Sequence, residues 1–253
     1  DIIIRVEEPL SFESFDKIII SVMAKKVAAG TTHLVLDIPI GKTAKIHRFS
    51  EGENVAKKFE NLAHRFDIKV ICDVNETLEP AGRGIGPILE VRDVLYILEQ
   101  KTDRPLRLEA KSLRLAGKLL DLCFKEKKMN KNGEDEAKKI LESGQALKKF
   151  QEIVGAQGGD PQISSESLSL AKNKFEFHSS ISGKIKDINN YNLNTIAKIL
   201  GSPNDKKAGI YLLKKLDHSV SRNEAIFILY SDDQYRLREA EATLKNLPIF
   251  KIE

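Results

Sequence analysis

The alternation of apolar and polar residues divides the first hundred residues into helix-like and strand-like segments. Apolar residues recur at helical spacing from Glu13 to Gly30, and Gly30 closes this stretch as a glycine at a helix C-terminus does. Two short apolar runs, HLVLDI (33–38) and IKVIC (68–72), are typical of strands buried on both sides of a parallel sheet. Helices are predicted between and after them, at 51–66 and from the glycine-rich loop to about 100. The pattern therefore predicts a β-α-β-α series.

The second half of the chain follows another pattern. From Pro105 to about Gly158 the spacing is purely helical, in three pieces, and GAQGGDPQ (155–162) then marks a domain boundary. Beyond it, strand-like segments such as EAIFILYS alternate with helix-like segments such as LNTIAKILG. We therefore predict an α/β fold, with a partial parallel or mixed sheet flanked by helices and then a C-terminal α+β domain on an antiparallel sheet.

Composition narrows the possible functions. The 253 residues carry 41 Lys and Arg against 37 Asp and Glu, and no aromatic residues are interleaved with a basic stripe, so no nucleic-acid partner is expected. The basic excess between Lys101 and Lys131 predicts a solvated helix face, or else an attraction for anionic substrates. No run is long and apolar enough for a membrane span and no signal peptide is visible, so we expect a cytoplasmic protein without a membrane partner. Cys72 and Cys123 are expected to be buried free thiols.

The glycine-rich loop EPAGRGIGPILEVRD (79–93) is the first place that could carry chemistry. Gly82, Gly84 and Gly86 do not match the G-x-G-x-x-G spacing of a dinucleotide site, so phosphate contact competes with plain strand-to-helix packing. Asp73, at the predicted end of a strand, serves either an active site or the cap of the next loop. The five histidines lie in different elements and show no motif spacing.

Ser21 and Lys25 lie four positions apart on the first helix, either as an ordinary helix face or as a pair that binds a planar polar ligand. This helix and its surroundings carry a resemblance. In their order and spacing, the segments PLSFESFDKIIISVMAKKVAAGTTHLVLDIPIGKTAKI, EPAGRGIGPILEVRD and SPNDKKAGIYLLKKLDHSVSRNEAIFILYS are similar to the thymidine phosphorylase and pyrimidine nucleoside phosphorylase family. The likeness is closest to its archaeal-type branch, which includes AMP phosphorylases, and covers essentially the whole chain.

The resemblance implies phosphorolysis, in which phosphate attacks the anomeric carbon of a nucleoside and the base departs. In the family, a Ser and a Lys of an S-x-x-x-K-K helix bind the nucleobase, and Ser21 and Lys25 match them. The archaeal-type pattern adds an acid eight residues before that Ser as proton donor, and a Lys in the D-I-P loop that contacts the substrate phosphate; these are Glu13 and Lys45 here. Glu13 and Lys25 are thus the implied catalytic residues. Glu13 departs from the family's usual Asp, which leaves its role as donor open and keeps a non-catalytic structural module as an alternative.

The same resemblance bears on ligands and partners. In the similar bacterial enzymes, positions equivalent to Ala81, Gly84 and Asp93 contribute to a monovalent cation site. Apart from that ion no cofactor is expected, and phosphate is the co-substrate. The expected partners are a nucleoside and phosphate, with a homodimer for the full-length protein. Thymidine is the first expected substrate, with AMP of the same family as the alternative, and the sequence does not separate these two from uridine.

Domain organisation follows from the resemblance as well. Residues 1–30 correspond to a remnant of a helical lid domain and hinge, 31–160 to part of the α/β phosphorylase domain, and 161–253 to the C-terminal α+β domain. The family's phosphate motif, D-K-H-S-T-G-G, does not occur in the sequence, and the opening run DIIIRV resembles the middle of a strand. We therefore expect a C-terminal fragment of a longer protein, and no phosphorolysis by the 253 residues alone.

The C-terminal segment GIYLLKKLDHSVSRNEAIFILYS also resembles the hairpin of biotinyl and lipoyl carrier domains. Asp217 and Asn223 stand at the glycine positions of that pattern, and no Met-Lys-Met tip is present. A barrel-sandwich likeness is equally expected at the C-terminus of the phosphorylase family. The prediction is therefore a barrel-sandwich-like domain without the carrier function.

Overall fold

The computed structural model describes residues 15–253, which form two compact units. The first unit contains residues 15–77 and Arg114–Glu136, and the second contains Leu78–Leu113 and Ala137–Glu253. The chain thus passes between the units three times, and these divisions are not the boundaries of the three domains implied by the family. That three-part assignment stays a prediction.

The first unit is a β-α-β arrangement preceded by a helix. Helix α1 spans Phe15–Ala28, strand β1 His33–Ile40, helix α2 Phe49–His64 and strand β2 Lys69–Glu76. The two strands are parallel, as predicted, with His33 opposite Lys69 and Ile40 opposite Glu76. Gly30 ends α1 in a left-handed conformation with φ of +68°, which confirms the predicted C-terminal glycine.

Two details of this unit differ from the prediction. Strand β1 is buried on one face only, where Leu34 and Ile38 join the core, whereas Asp37 and Pro39 are exposed. Within the described residues, helices α1 and α2 cover this one face. The prediction that the strand is buried on both faces was therefore wrong. Strand β2 continues to Glu76, and Asp73 therefore lies inside the strand and not at its end.

The second unit begins with the glycine-rich loop, whose short strand β3 (Gly84–Ile85) leads into helix α3 (Pro87–Leu98). The three helices predicted after Pro105 are confirmed as α4 (Leu106–Glu126), α5 (Gly133–Glu142) and α6 (Gln145–Ala156). Helices α4 and α5 each contribute residues to both units.

The C-terminal part is an α+β arrangement on antiparallel sheets, as predicted. Its strands and helices are β4 (Asn173–His178), β5 (Gly183–Ile188), α7 (Asn190–Leu200), β6 (Gly209–Leu212), β7 (Ser219–Val220), β8 (Ala225–Ser231), α8 (Gln234–Thr243) and β9 (Phe250–Ile252). They form a four-stranded sheet in the order β3-β6-β8-β4 and a three-stranded sheet in the order β7-β5-β9. Neither sheet closes into a barrel among residues 15–253. The glycine-rich loop therefore supplies the edge strand of the C-terminal sheet.

The turns around β7 explain how the hairpin keeps its shape without glycine. Asp217 and Asn223 have φ angles of +69° and +66°, so both adopt the left-handed conformation that glycine normally provides. Asp and Asn tolerate this region better than other side chains do. Between the sheets and helices lies a core that includes Ile185, Leu212 and Phe227, each at most 1% exposed.

Two further expectations concerned the state of the cysteines and the presence of a membrane-spanning helix. Cys72 and Cys123 are free, as predicted, but half-buried rather than buried. Burial, with a smaller contribution from Glu60, raises the pKa of the Cys72 thiol to about 11. Within the part of the chain that the structure describes, none of the helices combines the length and the apolar character needed to cross a membrane.

Candidate functional site

Helix α1 carries the predicted base-binding pair. Its apolar side packs into the core of the first unit, where Ile19 is 4% exposed and Met23 is 1% exposed. Ser21 is half-buried and Lys25 is exposed, one helical turn further on. An ion pair of 2.6 Å between Asp16 Oδ1 and Lys58 Nζ joins α1 to α2. The predicted proton donor, Glu13, lies outside the described residues.

Lys45 lies in the turn that follows β1, at the carboxyl end of the two parallel strands. The turn is firmly built, because Gly41 N donates to Ile46 O at 3.0 Å and Thr77 N donates to Ile40 O at 2.7 Å. A side chain at Gly41 would collide with the carbonyl oxygen of Thr77, so the turns after β1 and β2 are in close contact. Lys45 is exposed on this turn. The carboxyl end of parallel strands is the usual place for ligands in α/β folds.

Asp73 is the centre of a charged cluster in the first unit. It is 6% exposed, and its carboxylate accepts hydrogen bonds from Lys118 Nζ and, at 2.7 Å, from Arg114 Nη2. Asn75 Nδ2 donates to Asp73 Oδ2 at 3.2 Å and to Asp37 Oδ1 at 2.6 Å. Burial alone would raise the pKa of Asp73, but the two cations outweigh it and hold the pKa below its ordinary value.

This cluster changes the interpretation of two sequence features. Asp73 neither caps a loop nor stands alone at a strand end, because it anchors helix α4 to strand β2. Arg114 and Lys118 belong to the basic segment that was predicted to be a solvated helix face. Their side chains are 39% and 36% exposed, so this face is only partly solvated.

The glycine-rich loop of the second unit is a close-packed strand-to-helix corner. A Cβ on Gly84 would collide with the backbone of Leu89 and Glu90, so the loop and the first turn of α3 can be this close only with glycine at that position. Gly86, with φ of +114°, is the residue just before α3, and its amide donates to Glu90 Oε1 at 3.0 Å. Packing, one of the two predicted roles, therefore accounts for these glycines.

Asp93 holds this loop from α3. Its side chain is 1% exposed, and Oδ2 accepts hydrogen bonds from the amides of Arg83 at 2.6 Å and Gly84 at 2.7 Å. Oδ1 is buried and has no hydrogen-bond partner among the described residues. Burial raises the pKa of Asp93 above its ordinary value, although both amides oppose this shift. The structure thus brings Gly84 and Asp93 into contact.

The sequence analysis did not identify a second buried charged group at this loop. Lys215 is 6% exposed, and Nζ donates to the carbonyl oxygens of Pro80 and, at 2.8 Å, Gly82. Glu79, also 6% exposed, accepts from Arg107 Nη1 at 2.5 Å and from the amide of Leu216 at 2.8 Å. The one signal in the sequence was a charged pair directly after an apolar strand, and its partners lie 133 to 135 positions away.

The residues predicted for a monovalent cation can be compared with this geometry. A buried carboxylate oxygen without a partner, Asp93 Oδ1, is a suitable ligand for a cation, and main-chain carbonyls such as those of Ala81 and Gly84 are of the type that such ions accept. The donor set therefore fits the ion in its chemistry. Among residues 15–253 there is no group of three or more His, Cys, Asp or Glu side chains that could hold a metal ion.

Comparisons with known proteins show which family the sequence resembles. Residues 184–249 match the pyrimidine nucleoside phosphorylase C-terminal domain. Over 253 residues, the whole of this chain, the sequence is 38% identical to the AMP phosphorylase of Methanospirillum hungatei and 39% identical to that of Methanocaldococcus jannaschii, covering 48% and 50% of those proteins. It is also 40% identical over 240 residues, or 95% of this chain, to the AMP phosphorylase of Methanococcus vannielii, covering 47% of it.

The chain spans about half the length of the curated relatives it matches. Several relatives that share the name AMP phosphorylase align with all or nearly all of the chain. The C-terminal match covers strands and helices of the α+β part, including strand β6, with which strand β3 of the glycine-rich loop pairs. The chain belongs to the pyrimidine nucleoside phosphorylase family, in the branch that contains the archaeal proteins named AMP phosphorylase.

Proposed function

We propose that the protein that carries this chain is an AMP phosphorylase. Phosphate attacks the anomeric carbon of AMP, the bond to adenine breaks, and adenine and ribose 1,5-bisphosphate form. The observation that carries the proposal is the similarity of the entire chain, at 38–39% identity, to proteins named AMP phosphorylase. These names favour AMP over thymidine, which was the first substrate expected from the sequence.

The base is assigned to helix α1. As the glycosidic bond breaks, negative charge grows on the departing base, and a nearby cation lowers the energy of that state. Ser21 can hydrogen-bond the base edge, while the Lys25 ammonium opposes the growing charge. Glu13 is assigned the transfer of a proton to the base. The firm packing of Ile19 and Met23 supports this role for α1, because a rigid helix positions both side chains.

The 5′-phosphate of AMP is assigned to Lys45. The support is its position on a firmly built turn at the carboxyl end of two parallel strands. An ammonium group on such a turn attracts a phosphate without needing a fixed orientation. Thymidine has no 5′-phosphate, so Lys45 distinguishes the two substrates.

A monovalent cation is assigned to Ala81, Gly84 and Asp93. When bound, it would neutralise the buried carboxylate and strengthen the loop that leads into α3. The residues themselves supply main-chain carbonyls and the unpaired Asp93 Oδ1.

The test compares substrates on the complete protein that carries this sequence. Base release is measured with AMP, thymidine and uridine in the presence of phosphate, and AMP should be the preferred substrate by kcat/KM. Lys45→Ala should raise KM for AMP by about 10-fold or more, the loss expected for one charge-assisted contact with phosphate. The same change should leave thymidine nearly unaffected.

Lys42→Ala is the matched control, because Lys42 is exposed in the same turn and has no assigned role. Lys25→Ala should lower kcat/KM for every substrate. Equal losses for Lys42→Ala and Lys45→Ala would contradict the phosphate assignment, and thymidine as the preferred substrate would refute the proposal. Failure on all three substrates would favour the non-catalytic alternative. The 253 residues alone, which lack the family's phosphate motif, should release no base.

A further inference from the structure

Lys215 forms an arrangement in the second unit that resembles a bound ion more than an ordinary salt bridge. Its ammonium has two main-chain carbonyl oxygens as acceptors, those of Pro80 and Gly82, and the carboxylate of Glu79 at 3.6 Å. Oxygen atoms of main-chain carbonyls and carboxylates are the ligands that monovalent and other hard cations select. An ammonium group matches such ions in charge and accepts the same surroundings.

The surroundings leave little alternative for this side chain. Lys215 is 6% exposed, so its ammonium has exchanged most of its water for these three acceptors. Glu79 cannot turn away, because its two oxygens are also held by Arg107 and by the amide of Leu216. Burial lowers the pKa of Lys215, and the charge of Glu79 opposes that shift. A buried ammonium persists only where its acceptors compensate for the lost water.

The ammonium and the Asp93 carboxylate use different atoms of the loop. Lys215 takes carbonyls of Pro80 and Gly82, whereas Asp93 takes amides of Arg83 and Gly84. The peptide group between Gly82 and Arg83 is thus held by a positive group on its oxygen and by a negative group on its nitrogen. The oxygen atoms that hold Lys215 are therefore different from those assigned to the cation site at Ala81, Gly84 and Asp93.

We propose that Lys215 is the built-in cation of the loop Glu79–Gly86. Its tethered ammonium occupies a site made by Pro80 O, Gly82 O and the Glu79 carboxylate, and this site would otherwise bind a small monovalent cation. Lys215 lies in the turn after strand β6, so its side chain links this turn to the loop that leads into α3. The inference does not depend on which nucleoside the protein cleaves.

The test removes the tethered ammonium and supplies a free one. Lys215→Ala deletes the three methylenes and the ammonium beyond Cβ, which n-propylammonium restores atom for atom. Thermal unfolding of the wild-type protein and of each variant is followed at equal ionic strength in choline chloride, potassium chloride and n-propylammonium chloride. In choline chloride, Lys215→Ala should lower the midpoint by about 10 °C, because two carbonyl oxygens lose their donor and the buried Glu79 loses one of its two cationic partners.

The test of the proposal is how far the unfolding midpoint of Lys215→Ala recovers in each salt. In n-propylammonium chloride the variant should regain at least half of the lost midpoint, beyond any shift that this salt gives the wild-type chain, and potassium should give a smaller gain. Lys215→Met fills the same space without a charge and should not recover in any salt. Lys214→Ala is the neighbouring control. The Lys214 side chain is partly exposed and pairs with Glu224, so any stability that Lys214→Ala loses should not be recovered in n-propylammonium chloride.

Two outcomes overturn the proposal. One is a Lys215→Ala variant that recovers no more than Lys214→Ala or Lys215→Met, and the other is a variant that loses no stability. If Lys215→Ala does not fold in choline chloride, its refolding yield in n-propylammonium chloride serves as the same comparison. In the wild-type chain, the Lys215 ammonium should give a slowly exchanging ¹H–¹⁵N signal that Lys215→Met removes, and absence of this signal also contradicts the proposal.

Discussion

Asp73 in the first unit and Asp93 in the second are both buried aspartates, yet their carboxylates are held in opposite ways. Asp73 binds two cationic side chains that reach solvent, whereas Asp93 binds two main-chain amides and keeps one oxygen without a partner among the described residues. The pKa of Asp73 is accordingly below its ordinary value, and that of Asp93 is above it.

The difference shows which kind of partner makes a buried charge indispensable. Arg114 and Lys118 can turn to water if the carboxylate is removed, because more than a third of each side chain is exposed. Amides in a close-packed loop cannot turn, so their loss of an acceptor is not compensated. Asp93 is therefore expected to be the more sensitive position, and its unpaired oxygen is the better indication of a ligand.

The largest expected effect is that of Gly84→Ala, which removes the loop conformation that Asp93 holds. The added methyl collides with the backbone of Leu89 and Glu90, which cannot move without shifting α3. We expect a loss of at least about 3 kcal/mol in the stability of the second unit, measured by chemical denaturation. Gly158→Ala is the control, because Gly158 has open space around it and only the cost of its positive φ, about 1 kcal/mol. Equal losses would contradict the close-packed corner.

The next prediction distinguishes the hydrogen-bond acceptor that Asp93 provides from its negative charge, by comparing two variants. Asp93→Ala leaves the half-buried amides of Arg83 and Gly84 without their acceptor and should cost about 2–3 kcal/mol. Asp93→Asn keeps an oxygen for both amides and removes a charge whose burial is unfavourable, so it should cost less than half as much. Denaturation curves of the two variants at neutral pH provide the measurement. This order is expected in a buffer without small monovalent cations; a larger loss for Asp93→Asn in potassium chloride would show that the charge is needed there, as the assigned cation site requires.

A smaller loss is expected in the first unit. Asp73→Ala should cost about 1–2 kcal/mol, because Arg114 and Lys118 regain water when the carboxylate is gone. The comparison with Asp93→Ala is the direct test, and a loss from Asp73→Ala that equals or exceeds it would reverse the order proposed above.

The smallest effect is on the dependence of stability on pH. The lowered pKa of Asp73 means that its contribution is present above the unfolded value, near 3.9, and is lost as pH falls through the folded value below it. The raised pKa of Asp93 has the opposite sign, so its burial becomes less costly as pH falls from neutrality towards 3.9. The free energy of unfolding should be measured between pH 3 and 7. Compared with the wild type, Asp73→Asn should lose less stability as the pH falls below about 4, and Asp93→Asn should lack the gain that Asp93 gives as the pH falls from 7 towards about 4. Changes of the same sign in both variants would be inconsistent with the two environments.

Much of the fold was predictable because it depends on local patterns. Helical spacing located α1 and the three helices after Pro105, and Gly30 ends α1 because only glycine adopts its left-handed conformation at no cost. Asp217 and Asn223, which stand where the carrier pattern has glycines, still take positive φ angles, because Asp and Asn tolerate that region.

The candidate site was predictable only in part. The resemblance pointed to Gly84 and Asp93, which do meet, while the assignments of Ser21, Lys25 and Lys45 stay predictions. It did not point to Lys215 or Glu79, because neither belongs to a motif with a fixed local spacing. A charged residue beside an apolar strand has the same appearance in a sequence whether it is solvated or buried.

The sequence by itself determined the elements, the α/β and antiparallel classes, and the resemblance to the phosphorylase family, because periodicity and turn chemistry act over a few residues. Only the tertiary structure decided which charges are buried and with whom. Arg114 and Lys118 lie 41 and 45 positions from Asp73, and Lys215 lies 135 from Pro80. Such contacts depend on how distant segments pack, and the free energy of a charge is set by that packing and not by its neighbours in the sequence.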